Sequence, residues 1–325
     1  MLFNLEPYIL SNGQGLEVKV QALGAVISSI CFKGQELTLG YDDLSSYLDD
    51  PFYLGATVGR YANRIANGEF FLNGQKYSLS KNQGQHCLHG GEKGFNRSVW
   101  QVLEHDQKAI KLYLQSPDGC QGFPGNIDFW TTISVCNDQV KISYEASTDK
   151  DTILNVTNHC YFNLNPDGSS VKNHDLMLYA NHYLPVDKDG VPTGEVNSVN
   201  DSCFDFRTTK KISSALNDNS EQITIANGLD HCFAIKNYQP DKKETQLVAQ
   251  LSSPKSKVKL SLYTSLPGVQ VYTGNYLSDP FNINQGVCLE AQHWPDAPNR
   301  NHFPSATLQM GEVYKQDIIY AFSET

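Results

Sequence analysis

The chain has 325 residues, of which 40% are hydrophobic, 11% aromatic and only 18% charged, and its formal net charge is −10. Nucleic-acid binding requires a basic footprint, and no Lys/Arg cluster supplies one. No segment has the apolar length of a membrane span, and the start of the sequence lacks the basic and apolar regions of a signal peptide. We therefore expect a cytoplasmic protein that binds neither nucleic acid nor membrane.

Alternation of apolar and polar residues recurs along the whole chain and predicts strands. It is clear at residues 16–20, 110–114 and 258–262, and Asn73-Gly74 within residues 70–77 is a hairpin signal. Helical turns are expected only at residues 43–48 and 213–216. No linker divides the chain, so the pattern favours one large antiparallel sandwich.

The sequence contains no clear set of residues with the spacing of metal ligands. The eight cysteines contain no Cys-x-x-Cys pair, which argues against a zinc or redox site. His86 and His89 have a spacing that suits a metal, but a third and fourth ligand have no obvious source. We expect no metal. The adjacent Gly90 and Gly91 suit a backbone that must pass close to another group.

Several polar side chains lie in or beside predicted strands, and each has two interpretations. Arg64 either belongs to a solvated bend or points inward to hold hydroxyl groups. His159 and Tyr161 share one face if they lie on a strand, although a lone histidine there is more often a core residue. Asp230 either caps a turn or binds a ligand, and Gln270 between two valines must find partners if it is buried.

Glu290 is the carboxylate around which we expect the chain to be organised. It follows residues 287–289, which have the composition of the end of a buried strand. Burying a carboxylate at such a place costs free energy unless the group is hydrogen-bonded, paired with a positive charge or used in chemistry. For a glutamate in general, a role as a helix N-cap or in a surface salt bridge is the commoner explanation. The following Gln292, His293 and Trp294 indicate a polar pocket with an aromatic wall.

Together these loops resemble the aldose 1-epimerase family. The matching stretches follow the family's order and span nearly the whole chain: residues 59–68, 88–91, 122–125, 157–164, 230–231, 267–275 and 289–299. The resemblance implies an all-β fold, a large single-domain antiparallel β-sandwich over residues 1–325, with a sugar on its concave face and no cofactor. It implies that Glu290 is the general base and His159 the general acid. Positions that match sugar-binding residues of the family are Asn63, Arg64, His89, Tyr161, Asp230 and Gln270.

The chemistry of these groups agrees with the resemblance. Interconverting the anomers of a free aldohexose requires removal of the proton on O1 and protonation of the ring oxygen O5, so one base and one acid suffice. A neighbouring carboxylate is expected to raise the pKa of the His159 imidazole above its ordinary value of about 6.5. Trp294 is expected to form an apolar wall of the site.

Two other functions remain open at this point. A carbohydrate-binding protein would explain the sandwich and the hydroxyl partners without needing both Glu290 and His159. A glycosidase needs two carboxylates about 5–10 Å apart, and Glu290 with Asp230 is a possible pair. For any of the three we expect a small-molecule sugar ligand, with the chain acting as a monomer or weak homodimer.

Overall fold

The fold is that of a computed structural model, which describes residues 5–240 and 242–324. The strands of the described residues, in chain order, are β1 (Tyr8–Ser11), β2 (Leu16–Val20), β3 (Ile27–Phe32), β4 (Gln35–Glu36), β5 (Thr57–Val58), β6 (Arg64–Ile65), β7 (Glu69–Leu72), β8 (Gln75–Ser78), β9 (Cys87–Leu88), β10 (Gln101–His105), β11 (Ala109–Ser116), β12 (Ile127–Cys136), β13 (Gln139–Thr148), β14 (Thr152–Ile153), β15 (Thr157–Asn158), β16 (Tyr161–Phe162), β17 (Asp175–Leu178), β18 (Ala180–Tyr183), β19 (Asn197–Ser198), β20 (Lys210–Lys211), β21 (Asp230–Ile235), β22 (Gln246–Ser252), β23 (Val258–Thr264), β24 (Gly268–Tyr272), β25 (Val287–Gln292), β26 (Thr307–Leu308) and β27 (Tyr314–Glu324).

Helical structure is confined to short segments. Two α-helices are present in the described residues, α1 (Ser213–Leu216) and α2 (Glu221–Ala226). Single 3₁₀ turns lie at Leu44–Leu48, Ala66–Gly68, Phe95–Arg97, Cys120–Gly122, Val171–Asn173 and Ala297–Asn299. None of the helices in residues 5–240 and 242–324 is long and apolar enough to cross a membrane.

Three antiparallel sheets carry most of the structure. The largest has nine strands in the order β10-β11-β12-β13-β27-β23-β22-β17-β20. The second has six strands in the order β16-β25-β24-β21-β18-β19, and the third is β1-β2-β3-β4. Because β27 closes the nine-stranded sheet between β13 and β23, the C-terminal strand is central to the fold.

One large hydrophobic core cluster joins the three sheets. Side chains such as Ile142 from the nine-stranded sheet, Leu289 and Val271 from the six-stranded sheet and Ile30 from the third pack into one buried cluster. Sheets that bury one face against each other in this way form a sandwich. The predicted all-β antiparallel sandwich is therefore confirmed.

The local strand predictions agree with the structure where apolar and polar residues alternate in the sequence. Residues 16–20 form β2, residues 110–114 and 258–262 lie within β11 and β23, and residues 70–77 form the hairpin β7–β8. The two expected helical turns are also present, one of them as a 3₁₀ turn. Helix α2 was not predicted, since six residues are too few to show helical periodicity.

A buried arginine ties the polar loop after β5 to the rest of the sandwich. The Arg60 guanidinium donates five hydrogen bonds, to the hydroxyl and carbonyl of Ser116 and to the carbonyls of Pro117, Pro124 and Gly125. Burial lowers its pKa to about 10. The fork of donors thus satisfies carbonyl groups that would otherwise be buried without partners.

We expect Arg60→Met to lower the free energy of unfolding by about 3 kcal/mol or more, because each unpaired buried acceptor costs about 1–3 kcal/mol. Urea denaturation followed by tryptophan fluorescence measures this change. The matched control is Arg207→Met, at a part-exposed arginine paired with Asp205, where the expected loss is below about 1 kcal/mol. Equal losses in the two variants would contradict the structural role of Arg60.

Candidate active site

Glu290 lies in the middle of β25 and on the face of the six-stranded sheet that points away from the core. Its neighbours Leu289 and Ala291 pack into the hydrophobic core, so the alternation of the strand directs Glu290 to the opposite side. The side chain is only 2% exposed. From the sequence we expected the strand to end before Glu290, whereas β25 continues to Gln292. The carboxylate is therefore held by a rigid strand rather than by a loop.

His159 is brought against this carboxylate by a short segment between β15 and β16. Its amide N donates to the carbonyl of Ala56, and its carbonyl accepts from the amide of Gly55. Its Nε2 atom lies 3.7 Å from Oε2 of Glu290. His159 does not lie on a strand, because the ladder is interrupted between Asn158 and Tyr161. The backbone bonds nevertheless fix the imidazole beside the carboxylate.

The other side of His159 faces a thiol. Sγ of Cys288 lies 3.6 Å from Nδ1 of His159, and Cys288 pairs with Tyr161 across the two strands. Cys288 lies two residues before Glu290 in β25 and therefore on the same face. No sequence pattern indicated this contact, since a cysteine among apolar residues is typical of an ordinary core position.

Asp230, Gln270 and Arg64 form a second polar group across the neighbouring strands. Gln270 is paired with Glu290 in the sheet register, and its Nε2 donates to Oδ1 of Asp230 at 2.7 Å. Oδ2 of Asp230 lies 3.9 Å from Nη1 of Arg64, whose Nε donates to Oε1 of Gln83 at 2.7 Å. Asp230 is thus the first residue of β21 and part of a polar network, and not a turn cap.

Asn63 and His89 are held together by two reciprocal contacts. The amide of Asn63 donates to Nδ1 of His89 at 3.1 Å, and the amide of His89 donates to the carbonyl of Asn63 at 3.0 Å. Both residues have positive φ, +63° and +52°, in the left-handed region that Asn tolerates better than most residues. At Gly90 a Cβ atom would lie 2.0 Å from the carbonyl oxygen of Gly59, which confirms the close approach expected there.

These groups line one cavity of about 220 Å³. Seven of the eight site residues expected from the sequence border it: Asn63, Arg64, His89, His159, Tyr161, Asp230 and Glu290. Gln270 does not, because it lies behind Asp230 and supports that carboxylate. Residues that border the cavity and were not predicted are Pro51, Phe52, Tyr53, Gln83, Leu88, Tyr272 and Tyr276.

Aromatic rings form much of the cavity wall, but Trp294 is not among them. The His159 ring lies 5.1 Å from that of Tyr161, 5.9 Å from Tyr53 and 6.5 Å from Tyr272. Trp294 instead packs in a separate cluster with Phe303, and its indole donates to the carbonyl of Pro267. The prediction that Trp294 forms a wall of the site is therefore wrong.

Burial controls the protonation of the carboxylate and the imidazole. It raises the pKa of Glu290 well above its ordinary value, with the charge of Asp230 adding to the shift and Arg64 opposing it. It lowers the pKa of His159 to about 4. The expected rise in the His159 pKa is thus wrong for the free protein, because loss of hydration outweighs the nearby carboxylate. Between these two pKa values the pair holds one proton.

One oxygen of this pair has no internal partner. Oε2 of Glu290, at the cavity wall, is buried and accepts no hydrogen bond from the described part of the chain. Buried polar atoms are normally hydrogen-bonded, so such atoms in a cavity indicate a place for ligand hydroxyl groups.

The two histidines that suggested a metal point to different partners. His86 Nδ1 accepts from the amide of Asn67, and its Nε2 lies 3.7 Å from Asp189, whereas His89 faces Asn63 and the cavity. Among the described residues, no group of three or more His, Cys, Asp or Glu side chains is arranged to hold a metal ion.

The fold and this site define a class: a β-sandwich protein with a buried carboxylate and imidazole in a polar, aromatic-walled cavity. A family model described as aldose 1-epimerase matches residues 6–321. Bovine galactose mutarotase is 36% identical over 335 residues, covering 98% of this chain and 94% of its own. The aldose 1-epimerase of Haemophilus influenzae is 41% identical over 304 residues, covering 89% and 87% of the two chains.

Solved structures agree with these relatives. An aldose epimerase homologue from C. elegans superposes with a TM-score of 0.90 at 31% identity, covering 98% of this chain and 99% of its own. The chain belongs to the aldose 1-epimerase family. It is therefore an enzyme, an isomerase that acts on sugars.

Proposed function

We propose that the protein interconverts the α and β anomers of free aldohexoses such as galactose and glucose, with Glu290 as general base and His159 as general acid. The observation that carries this proposal is the buried pair itself, with Nε2 of His159 3.7 Å from Oε2 of Glu290 at the wall of the cavity. The relatives named galactose mutarotase support galactose as one substrate.

Ring opening proceeds in a balanced sequence of proton transfers. The carboxylate of Glu290 takes the proton from O1, the C1–O5 bond breaks as C1=O1 forms, and His159 delivers a proton to O5. The open-chain aldose rotates about C1–C2. The reverse transfers then close the ring on the other face of the carbonyl. The net protonation of the pair is unchanged, so no cofactor is consumed.

The productive form of the pair has Glu290 ionised and His159 protonated. Burial favours the neutral form of each group in the free protein, but the sugar's hydroxyl groups fill the cavity and hydrogen-bond to the charged form. Charge-assisted hydrogen bonds of this kind are about twice as strong as neutral ones. Substrate binding thus supports the ionised pair when it is needed.

The remaining polar groups hold the sugar. Asp230 offers carboxylate oxygens, Arg64 and Asn63 offer N–H donors, and His89 offers an imidazole, all at the wall of one cavity. Gln270 keeps Asp230 in position. Neutral sugars are recognised by such hydroxyl partners together with an apolar wall, which Tyr53 provides.

Asp230→Ala is expected to raise KM for galactose by about ten- to a hundredfold, because a hydrogen bond to a charged group contributes about 1.5–3 kcal/mol. A smaller fall in kcat accompanies it, since binding energy also orients the ring. Initial rates by polarimetry over a range of galactose concentrations measure both constants. Asp167→Ala, at an exposed carboxylate paired with Lys255, is the control. A folded Asp230→Ala protein with unchanged KM and kcat would remove Asp230 from sugar binding.

Polarimetry also separates the proposed function from its rivals. Freshly dissolved α-D-galactose should approach its equilibrium rotation faster in the presence of the protein, and methyl α-D-galactoside should remain unchanged. A carbohydrate-binding protein would leave both rotations at their uncatalysed rates. A glycosidase would release galactose from the glycoside, and that result would contradict the proposal.

We also propose that residues 1–325 act as one catalytic domain, as a monomer or weak homodimer in the cytoplasm. Support for one domain is the large core cluster that joins strands from Leu10 to Phe322. Each of the proposed site residues comes from the same chain, so the site is complete without a second copy. All eight cysteines are free, which is typical of a reducing compartment.

A further inference from the structure

The imidazole of His159 lies between two side chains of one strand. Its Nε2 atom is 3.7 Å from Oε2 of Glu290, and its Nδ1 atom is 3.6 Å from Sγ of Cys288. Cys288 and Glu290 are two residues apart in β25, and side chains at that spacing point to the same face of a sheet, about 7 Å apart. The two nitrogens of one imidazole thus reach both groups at once, and β25 fixes the distance between these groups.

Ring packing alone does not determine which edge of the imidazole faces each of these groups. The His159 ring is surrounded by four rings with centroids within 6.5 Å of its own: Tyr53, His89, Tyr161 and Tyr272. A half-turn about the Cβ–Cγ bond exchanges each ring nitrogen with a carbon of nearly equal size, so these contacts would change little. The contact with the thiol distinguishes the two orientations, because a ring carbon offers no comparable hydrogen bond.

The proposed reaction requires the proton on Nδ1 of His159 to stay in place. The imidazole gives a proton to O5 during ring opening and takes one back during ring closure, and both transfers use Nε2, the nitrogen on the Glu290 side. After the first transfer Nε2 must carry a lone pair, so the remaining ring proton must be on Nδ1. Which nitrogen of a neutral imidazole keeps the proton is set by the hydrogen bond at the other nitrogen's side of the ring. A neutral imidazole with its proton on Nε2 could not take the proton back from O5.

The Cys288 thiol suits this task because it is buried and uncharged. Burial raises the pKa of the thiol well above its ordinary value, so the sulfur keeps its proton and remains a weak hydrogen-bond acceptor. A carboxylate at the same place would raise the pKa of the imidazole and make it a weaker acid. With the sulfur there, burial keeps the His159 pKa at about 4. The imidazolium is therefore a strong acid toward the weakly basic ring oxygen.

We propose that Cys288 is a positioning residue of the reaction: its sulfur accepts a hydrogen bond from Nδ1–H of His159 and thereby keeps Nε2 as the nitrogen that exchanges a proton with O5. The inference rests on the proposed function, because it concerns the same acid. The thiol keeps its own proton throughout, so the proton that leaves His159 goes to O5 and the one that returns comes from O5. Cys288 does not border the cavity, so it acts on the acid and not on sugar binding.

Cys288→Ala and Cys288→Ser differ in whether an acceptor remains beside Nδ1. Polarimetry with galactose should give a kcat for Cys288→Ala about three- to tenfold below that of the wild type, the size expected for one neutral hydrogen bond. KM should stay within about twofold, because the lost contact acts on the chemical step. Cys288→Ser should keep kcat within about twofold of the wild type, since a hydroxyl oxygen also accepts. The matched control is Cys232→Ala, at a buried thiol opposite Gln270 on the same face of the sheet, which should keep both constants.

The kinetic outcomes separate this inference from the proposed function. A Cys288→Ala protein with the wild-type kcat, or equal losses in Cys288→Ala and Cys288→Ser, would overturn the positioning role and leave the proposed function intact. The same would follow if Cys232→Ala lost as much activity as Cys288→Ala. A wild-type protein that does not accelerate the mutarotation of galactose would overturn both.

Nitrogen-15 NMR of protein labelled in its histidines tests the contact without any turnover, and His159→Gln identifies the His159 signals by their loss. In the wild type at neutral pH, Nδ1 should carry the proton and Nε2 the lone pair. Since a hydrogen bond deshields its proton, the Nδ1–H signal should move to higher field in Cys288→Ala and stay in place in Cys232→Ala. A wild-type His159 with its proton on Nε2, or an Nδ1–H signal that Cys288→Ala does not change, would contradict the proposal.

Discussion

Glu290→Gln is expected to lower kcat for galactose by about 10²- to 10⁴-fold with a modest change in KM. The amide keeps the shape of the side chain, but it cannot take the proton from O1. The substitution also removes a buried carboxyl group whose pKa burial raises, so the fold should not be weakened by it. Initial rates from polarimetry, after subtraction of the uncatalysed rate, measure the change.

The matched control for this variant is Glu145→Gln, at an exposed position in β13. It should leave kcat and KM unchanged, since Glu145 lies on the solvent side of the nine-stranded sheet. A Glu290→Gln protein whose kcat stays within about threefold of the wild type would exclude Glu290 as the base.

His159→Gln has the second large expected effect, again a fall in kcat of about 10²- to 10⁴-fold. Glutamine can donate a hydrogen bond to O5 but cannot deliver a proton, so the C1–O5 bond must break without an acid. The variant also loses the contact with Cys288, whose thiol takes no part in the proposed proton transfers. Rates with galactose and glucose should fall together, because the lost step is common to both sugars.

His182→Gln, at an exposed histidine in β18, is the control for this variant and should keep wild-type rates. Circular dichroism establishes that both proteins are folded. If His159→Gln retains wild-type kcat, the acid must be another group, and His89, whose ring lies 5.3 Å from that of His159, is the first candidate.

The sequence predicted the sandwich because strand alternation is a local property. Leu16–Val20 and the hairpin at residues 70–77 are determined by residues close together in the chain. The roles of Glu290 and His159 as base and acid, and the set of sugar-binding residues, came instead from the resemblance to a family. Local patterns alone could not bring them into one cavity, because that depends on pairing between distant segments such as β16 and β25.

The incorrect predictions also concern properties that depend on how distant segments pack together. Trp294 follows Glu290 closely in sequence, but the chain leaves the sheet after Gln292 and turns the indole toward Phe303. The direction of the His159 pKa shift depends on burial, which sequence proximity does not reveal. Tyr53 and Gln83 reach the cavity from loops whose residues have no distinctive pattern, so no sequence signal pointed to them.

The pH dependence of kcat/KM tests most directly whether Glu290 and His159 act as one acid–base pair that shares a proton. At low pH both groups are protonated and no base is left, and at high pH the shared proton is lost and no acid is left. The profile of kcat/KM should therefore be bell-shaped, with both apparent pKa values belonging to the pair and not to either residue. The acid limb should lie near the His159 pKa of about 4, and the alkaline limb well above the ordinary Glu pKa of 4.5, since burial raises that of Glu290. A profile without an acid limb near pH 4, or one whose alkaline limb lies near the ordinary Glu pKa of 4.5, after subtraction of the buffer-catalysed rate, would contradict a shared proton.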